Sequence, residues 1–253
     1  MSILLDQYAK IVGEDVVDHL RQLARALEGA KVVHVNSTRE GGGVAEILHW
    51  LVPLKQELGL NATWEVITGE EGFYQCTKSF HNALQGNAVG IPESLIRNYE
   101  TTVQRNVEAL QDKLEEADFV FIHDPQPAPF LRFCPNRKGK WIWRCHIDLT
   151  NAQPEAWDLL RPFVSEYAGS IWTMQQYVRE GMPTSNLMIA PPAIDPLATK
   201  NADMSPEEVS AVLRRYGVDE NRPIITQVSR FDPWKDPLGV SDAYRIVKRE
   251  VPG

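Results

Sequence analysis

Apolar residues recur along the chain in two alternating patterns. Short continuous apolar runs predict buried strands, whereas apolar residues three and four positions apart predict helices. The predicted helices cover 7–28, 44–58, 73–84, 93–116, 205–216 and 238–251, and the predicted strands cover 32–36, 62–68, 118–123, 141–146, 169–173, 187–190 and 223–228. Short apolar strands that alternate with helices are typical of a mostly parallel sheet covered on both faces. The sequence therefore predicts an α/β fold with a Rossmann-like sheet.

A proline cluster interrupts this alternation and suggests a domain boundary. Pro191, Pro192 and Pro196 stand within six residues, which forbids regular helix and disfavours strand. We therefore predict an N-terminal domain over 1–190 and a linker over 191–204. Residues 205–253 contain a single predicted strand, too little to bury a core of their own. They are expected to be the truncated start of a second Rossmann-like domain.

Charge, hydropathy and cysteine content exclude several protein classes. The net charge of −8 argues against general affinity for nucleic acid or an anionic membrane. No apolar run approaches the ~18 residues of a membrane span, and the N-terminus lacks the features of a signal peptide. Cys76, Cys134 and Cys145 form an odd, widely spaced set that suits free thiols in a reducing compartment. Cytoplasmic localisation is the expectation.

Three consecutive glycines, Gly41, Gly42 and Gly43, stand between a predicted strand and a predicted helix. Such a loop lets backbone N–H groups approach a phosphate or a sugar closely, although a flexible turn has the same composition. Three glycines exceed what a turn requires, which favours the functional interpretation. The run is not a nicotinamide fingerprint, because Glu46 occupies the position of the third spaced glycine.

Polar residues also follow the third and fourth predicted strands, where ligands bind in parallel sheets. Asp124 is a candidate to bind sugar hydroxyls, and equally a candidate to cap a short helix that begins at Pro125. His146 is a candidate donor to a bound sugar. Strand alternation places Arg144 and His146 on one face and Cys145 on the other, which argues against a Cys145–His146 nucleophile. The spacing of histidines and cysteines predicts no metal site.

Arg230 and Lys235 lie in a loop between a predicted strand and a predicted helix. A helix N-terminus offers free N–H groups and the positive end of the helix dipole. Arg adds a planar guanidinium with several N–H donors, and Lys adds a compact positive charge. Both could be plain surface charges, but cations at a helix start oppose the dipole unless an anion is bound there. The loop therefore predicts a diphosphate site.

Five segments, taken in order, resemble the retaining glycosyltransferases of the family-4 type, which have the two-domain GT-B fold. The resemblance is narrower to the trehalose glycosyltransferring synthases and the related trehalose phosphorylases. The segments that carry it are 34–38 with 41–43, 122–126, 144–148, 191–196 and 229–236. It covers the first domain and the opening of the second.

The resemblance implies transfer of glucose from a nucleoside diphosphate glucose to glucose, giving trehalose with retention of configuration. It also implies roles for particular residues: Gly42, Gly43, Arg230 and Lys235 at the donor diphosphate, His146 at the donor sugar, and Asp124 with Asp148 at the acceptor. The family's paired glutamates come later than Gly253, so no catalytic residue is assigned. The chain alone is expected to have no transferase activity.

No tightly bound cofactor is implied, and Mg²⁺ accompanying the nucleotide sugar and a homodimer are both compatible with the resemblance. Three alternatives stay open. A trehalose phosphorylase would use the same two cations for inorganic phosphate. A non-catalytic sugar-binding module would not need them, and a nicotinamide oxidoreductase is disfavoured by the missing glycine.

Overall fold

The computed structural model describes residues 3–231 and 235–251, with the side chain of Ile3 also outside the description. Asp232, Pro233 and Trp234 lie outside the described residues, so the part of the predicted diphosphate loop that they form is not described. The chain divides into two compact units, one ending at Leu197 and one beginning at Ala198. Each unit is described by itself.

The first unit is built on one six-stranded sheet, and every strand pairs in parallel with its neighbours. The strand order is β2-β1-β3-β4-β5-β6. The strands are β1 Lys31–Asn36, β2 Asn61–Val66, β3 Phe119–His123, β4 Lys140–Cys145, β5 Gly169–Trp172 and β6 Leu187–Ile189. The predicted parallel α/β sheet is confirmed, because the buried apolar runs of the sequence are the strands observed.

Six α-helices accompany this sheet among the described residues of the first unit: α1 Ile3–Val12, α2 Glu14–Arg25, α3 Gly43–Glu57, α4 Glu71–Leu84, α5 Glu93–Glu116 and α6 Pro154–Val164. The prediction of one helix over 7–28 is wrong, because the chain breaks at Gly13. That residue has φ 92°, outside the range of a helix. Among the described helices, none is long and apolar enough to cross a membrane.

The sheet is packed on both faces. The larger core cluster contains alternate residues of the central strands, such as Val33, Val120 and Trp143, and residues of α4, α5 and α6. A smaller cluster joins Val32 and Ala62 to helix α3 on the other face. Because side chains alternate along a strand, the even-numbered positions of β1 face α3. His34 therefore lies on the α3 side of the sheet.

The second unit has two described α-helices, α7 Pro206–Arg215 and α8 Pro237–Glu250. Ser205 and Glu208 form a capping box at the start of α7, and the Asp236 side chain caps α8. The predicted strand over 223–228 is wrong. That segment has no strand partner in the described part of the unit, and Val228 is 94% exposed. An apolar run forms a strand only where a neighbouring strand supplies its hydrogen-bond partners, which a local sequence pattern does not report.

Candidate functional site

The polar residues of the first unit meet at the carboxyl ends of three adjacent strands. In the strand order, β1 lies between β2 and β3. The chain therefore passes from β1 to β2 on one side and then crosses over to β3 on the other side of β1. Such a switch point is where open parallel sheets bind ligands. His123 ends β3, Asp124 follows it, and His146 follows β4. The predicted site residues Asp124 and His146 are thus brought together at the expected edge.

Asp124 joins the ends of β3 and β4. One carboxylate oxygen, Oδ1, accepts a hydrogen bond of 2.7 Å from the backbone N–H of His146. The Asp124 backbone N–H donates to the carbonyl of Arg144, and the Asp124 carbonyl accepts from the indole of Trp143. The predicted alternative, a cap on a helix at Pro125, is wrong, since the next helical segment is a 3₁₀ helix that begins at Ala128.

The carboxyl group of Asp124 is buried, and burial has an electrostatic consequence. Burial raises the pKa of Asp124 from its ordinary value to about 7, against the opposing effects of the His146 hydrogen bond and the nearby Arg144 guanidinium. No described residue bonds to the second oxygen, Oδ2. Among the described residues, Oδ2 therefore keeps an unused acceptor position.

His146 is partly buried and its ring is held by a second histidine. Its Nε2 lies 2.9 Å from Nδ1 of His123, whose Nε2 lies 3.0 Å from Nδ1 of His34. Burial, reinforced by the positive charge of Arg144, lowers the pKa of His146 to about 3. His146 is therefore a neutral imidazole at physiological pH, able to bond a ligand without carrying a charge.

The glycine loop is open. Gly41 and Gly42 have φ 73° and 92°, conformations that favour glycine, and Gly42 is the N-cap of α3. A Cβ atom added at Gly41, Gly42 or Gly43 would meet nothing within 4 Å. All three residues are exposed, so the backbone at the start of α3 is accessible to a ligand.

Two other polar residues, Arg144 at the end of β4 and Asp148 beyond it, have different surroundings. Asp148 is exposed, and its Oδ1 accepts from the backbone N–H of Thr150 at 2.8 Å. The Arg144 guanidinium is buried and donates to the carbonyls of Trp172 and Ala190. Arg144 therefore holds the ends of the neighbouring strands together, while Asp148 faces solvent.

Arg230 and Lys235 belong to the second unit and are exposed. Lys235 accepts at its carbonyl a hydrogen bond from the Gln227 side chain, and α8 begins two residues later at Pro237. The predicted helix start after Lys235 is therefore present. The role of both cations at a diphosphate stays a prediction.

Among the described residues, neither a thiol nucleophile nor a metal site is found. Cys76, Cys134 and Cys145 are free and buried, and burial raises the pKa of the Cys145 thiol well above its ordinary value. A protonated buried thiol is a poor nucleophile. In the described part of the chain, no group of three or more His, Cys, Asp and Glu side chains is arranged to hold a metal ion.

Sequence reasoning missed Lys55, whose ammonium lies 2.9 Å from Nε2 of His34. A signal was available: Lys55 continues the spacing of Leu48 and Val52, the buried face of α3. A lysine on an apolar stripe indicates a partner in the core. His34 was noted only as part of a motif, although it occupies the middle of a buried strand.

Comparison with known proteins assigns the chain to a family. The sequence profile described as "Trehalose synthase, N-terminal domain" matches residues 34–179, which is more than half of the chain. The chain belongs to the trehalose synthase N-terminal domain family. The matched range includes the second half of β1, the glycine loop, Asp124 and His146, so the predicted resemblance is confirmed.

The chain is also similar to individual curated trehalose synthases and trehalose phosphorylases. The chain is 47% identical over 249 residues to a trehalose synthase of Thermococcus litoralis, a match that covers 98% of the chain and 60% of the relative. It is 26% identical over 274 residues to a trehalose phosphorylase of Grifola frondosa, covering 95% of the chain and 37% of that protein. The chain thus spans 60% of the length of its curated synthase relative.

A solved structure, a trehalose-6-phosphate synthase, is similar with a TM-score of 0.56 and 16% identity, covering 74% of the chain and 55% of that structure. At this identity the likeness shows the fold alone. It is the fold of GT-B glycosyltransferases, in agreement with the predicted fold class.

Proposed function

We propose that the chain forms the sugar-binding side of a retaining hexosyltransferase that moves glucose from a nucleoside diphosphate glucose to glucose and forms trehalose. The observation that carries the proposal is the 2.7 Å bond between Asp124 and His146, which joins the ends of β3 and β4 next to the switch point of the sheet. This bond fixes the backbone of His146, which carries a neutral imidazole, at the carboxylate of Asp124. Family membership supports the substrate class.

Each group at this edge has a part in the proposed reaction. His146 donates to the glucosyl group, and Asp124 accepts from hydroxyls of the sugar through Oδ2. Asp148, which faces solvent, assists at the acceptor. Gly42 and Gly43 bring backbone N–H groups to the donor diphosphate, and the charge that develops on the leaving diphosphate is stabilised by cations.

Arg230 and Lys235 are proposed to supply those cations. Arg230 precedes the N-terminus of helix α8 in the chain. The guanidinium and the helix N-terminus both offer N–H donors, which suits a diphosphate. A Mg²⁺ ion bound by the nucleotide sugar itself would share the charge. Three buried free thiols support a cytoplasmic setting for this activity.

The second candidate function is a trehalose phosphorylase, favoured by the match to the Grifola frondosa protein. To separate the two, the chain is extended by the part of the Thermococcus litoralis synthase that the match leaves uncovered. This chimera is supplied either with nucleoside diphosphate glucoses and glucose, or with trehalose and inorganic phosphate. Trehalose formed only from the nucleotide sugar supports the proposal. Phosphorolysis alone establishes the second candidate.

The two cations are tested in the same chimera. Arg230→Ala with Lys235→Ala removes charge-assisted bonds worth about 1.5–3 kcal/mol each, so kcat/KM for the nucleotide sugar is expected to fall about a hundredfold or more. The control is Lys248→Ala with Arg249→Ala, two exposed cations in the last turn of α8. Activity unchanged by the first pair would refute the diphosphate role. A chimera without activity, whose binding of glucose or trehalose the first pair leaves intact, would favour a non-catalytic sugar-binding module.

A further inference from the structure

Four side chains form a continuous line across the sheet, which we name the histidine chain: Lys55, His34, His123 and His146. They come from α3, β1, β3 and the residue after β4. Successive nitrogen atoms lie 2.9, 3.0 and 2.9 Å apart, from the Lys55 ammonium to Nε2 of His146. All three separations are hydrogen-bond distances. The line begins under helix α3 and ends at the candidate sugar site.

Packing holds the line in place. The ring of His34 stacks on Phe121 with centroids 4.8 Å apart, and the Lys55 ammonium lies 4.3 Å from the centroid of the same Phe121 ring. The rings of His123 and His146 are also stacked, with centroids 5.2 Å apart. Asp124 fixes the backbone of His146. The nitrogen atoms are therefore held at bonding distance by groups outside the line.

The line has only one consistent direction when Lys55 is charged. An ammonium group has three donors and no acceptor, so Nε2 of His34 must accept. A neutral imidazole has one donor and one acceptor, so Nδ1 of His34 must donate to Nε2 of His123. The same rule makes Nδ1 of His123 donate to Nε2 of His146. The remaining proton of His146 then lies on Nδ1.

The imidazoles of the line are neutral for a structural reason. Burial lowers the pKa of His34 and of His123 well below the ordinary value, and the positive charge of Lys55 adds to this in both. For His123 the rings of His34 and His146 and the Arg144 guanidinium act in the same sense. A charged imidazole would also have no acceptor nitrogen and would break the line.

We propose that Lys55 is a positioning residue that fixes the tautomers of the histidine chain, so that His146 presents a hydrogen-bond donor, Nδ1–H, to an oxygen of the bound sugar. The described residues make no hydrogen bond to this nitrogen. The part of the proposal that concerns sugar rests on the proposed function; the tautomers do not depend on it. A fixed donor selects a ligand oxygen that accepts, such as a hydroxyl or ether oxygen.

The direction is expected to weaken in alkaline solution. Burial lowers the pKa of Lys55 to about 8, and above that pH the neutral amine can accept as well as donate. The charged or titratable groups that interact with the line are Lys55 itself, Arg144 and, through the backbone of His146, Asp124. Of these, Asp124 titrates at about 7 and Arg144 stays charged, so a change above pH 8 belongs to Lys55.

The tautomers are measured by ¹⁵N NMR of the labelled chain at pH 7, without sugar. The signals of His146 are assigned by their loss in His146→Gln. The expected result is a protonated Nδ1 and an unprotonated Nε2 on His34, His123 and His146, the opposite of the tautomer that predominates in an unconstrained side chain. A His146 with protonated Nε2 would overturn the proposal, and this measurement needs no variant of Lys55.

Substitution of Lys55 then tests its part. In Lys55→Met the population of the Nδ1–H form of His146 is expected to fall to roughly half or less, because nothing forces His34 to accept. Lys55→Arg, which also carries donors only, is expected to keep it. Lys78→Met, at an exposed lysine of α4, is the matched control and should leave all signals unchanged. An unchanged His146 in Lys55→Met would overturn the proposal.

The sugar-dependent part has its own readout in the chimera. Lys55→Met is expected to lower kcat/KM about tenfold, the cost of roughly one hydrogen bond to the sugar, and Lys55→Arg to restore it. Correct tautomers with unaltered kinetics would place the failure in the proposed function. Incorrect tautomers in an active chimera would place it in the histidine chain.

Discussion

At the scale of single residues, Asp124 explains how two strand ends become one site. Its φ of 63° lies in the left-handed region, which Asp and Asn enter more readily than other residues with a side chain. That conformation turns the chain sharply after β3 and directs the carboxylate to the backbone of His146. An Asp is therefore suited to this position by its backbone conformation as well as by its charge.

Burial of Asp124 predicts a pH dependence of stability. Because the folded chain holds this proton more tightly than the unfolded chain, the contribution is present in full below the ordinary carboxyl pKa. It is lost as the pH rises from about 4 to about 7. Asp124→Asn has no such proton. The unfolding free energy of the wild type minus that of Asp124→Asn is expected to fall over this window by a few kcal/mol, as an order of magnitude.

Denaturant titrations of both proteins between pH 4 and pH 8 provide the check. The subtraction removes the histidines, whose lowered pKa values act in the opposite sense and stabilise the fold above their ordinary pKa. A difference that stays constant, or increases with pH, would contradict the raised pKa of Asp124.

Asp124 and His146 were predictable as site candidates because position along a strand fixes position at the sheet edge. Lys55 was not, since its contact with His34 depends on how α3 lies over β1, and that packing is not encoded by local spacing. The direction of the histidine chain also required the order of the nitrogen atoms in the structure.

At the scale of elements, the apolar runs and the three-to-four-residue spacing predicted the core strands and helices closely, because both patterns reflect local backbone geometry. Helix α5 spans Glu93–Glu116, which is the predicted range. The six strands of the sheet begin and end within one or two residues of their predicted bounds. The failures have long-range or backbone causes. The segment 223–228 lacks a strand partner in the described residues, and Gly13 divides one apolar stripe into two helices.

The break between α1 and α2 depends on a conformation that only glycine adopts readily. Gly13 has φ 92° and ψ 152°, and an added Cβ would lie 2.6 Å from a carboxylate oxygen of Asp15. Gly13→Ala is expected to lower the free energy of unfolding by about 1–3 kcal/mol. Chemical denaturation monitored by circular dichroism measures this loss.

Gly90→Ala is the matched control, because its Cβ would meet nothing within 4 Å and its φ is not positive. The control is expected to change stability by no more than about 0.5 kcal/mol. Equal stability of Gly13→Ala and the wild type would show that α1 and α2 tolerate a different junction.

At the scale of the whole molecule, the first unit contains a complete sheet with the candidate sugar site at its edge. The second unit contributes, in its described part, two helices and the segment that holds Arg230. Family and fold could be predicted because five separate segments agreed in order. The predicted diphosphate site could not be examined in the same way, because part of its loop, Asp232, Pro233 and Trp234, lies outside the described residues.

The central claim is that sugar binds at the carboxyl edge of the sheet through Asp124 and His146. Its most direct test is an NMR titration of the ¹⁵N-labelled chain with glucose and with trehalose, repeated with His146→Ala and with His49→Ala, an exposed histidine of α3. We predict saturable shifts at the amides of Gly42, Asp124 and His146 that are lost in His146→Ala and kept in His49→Ala. Shifts confined to another part of the chain, or binding that His146→Ala leaves intact, would contradict the claim.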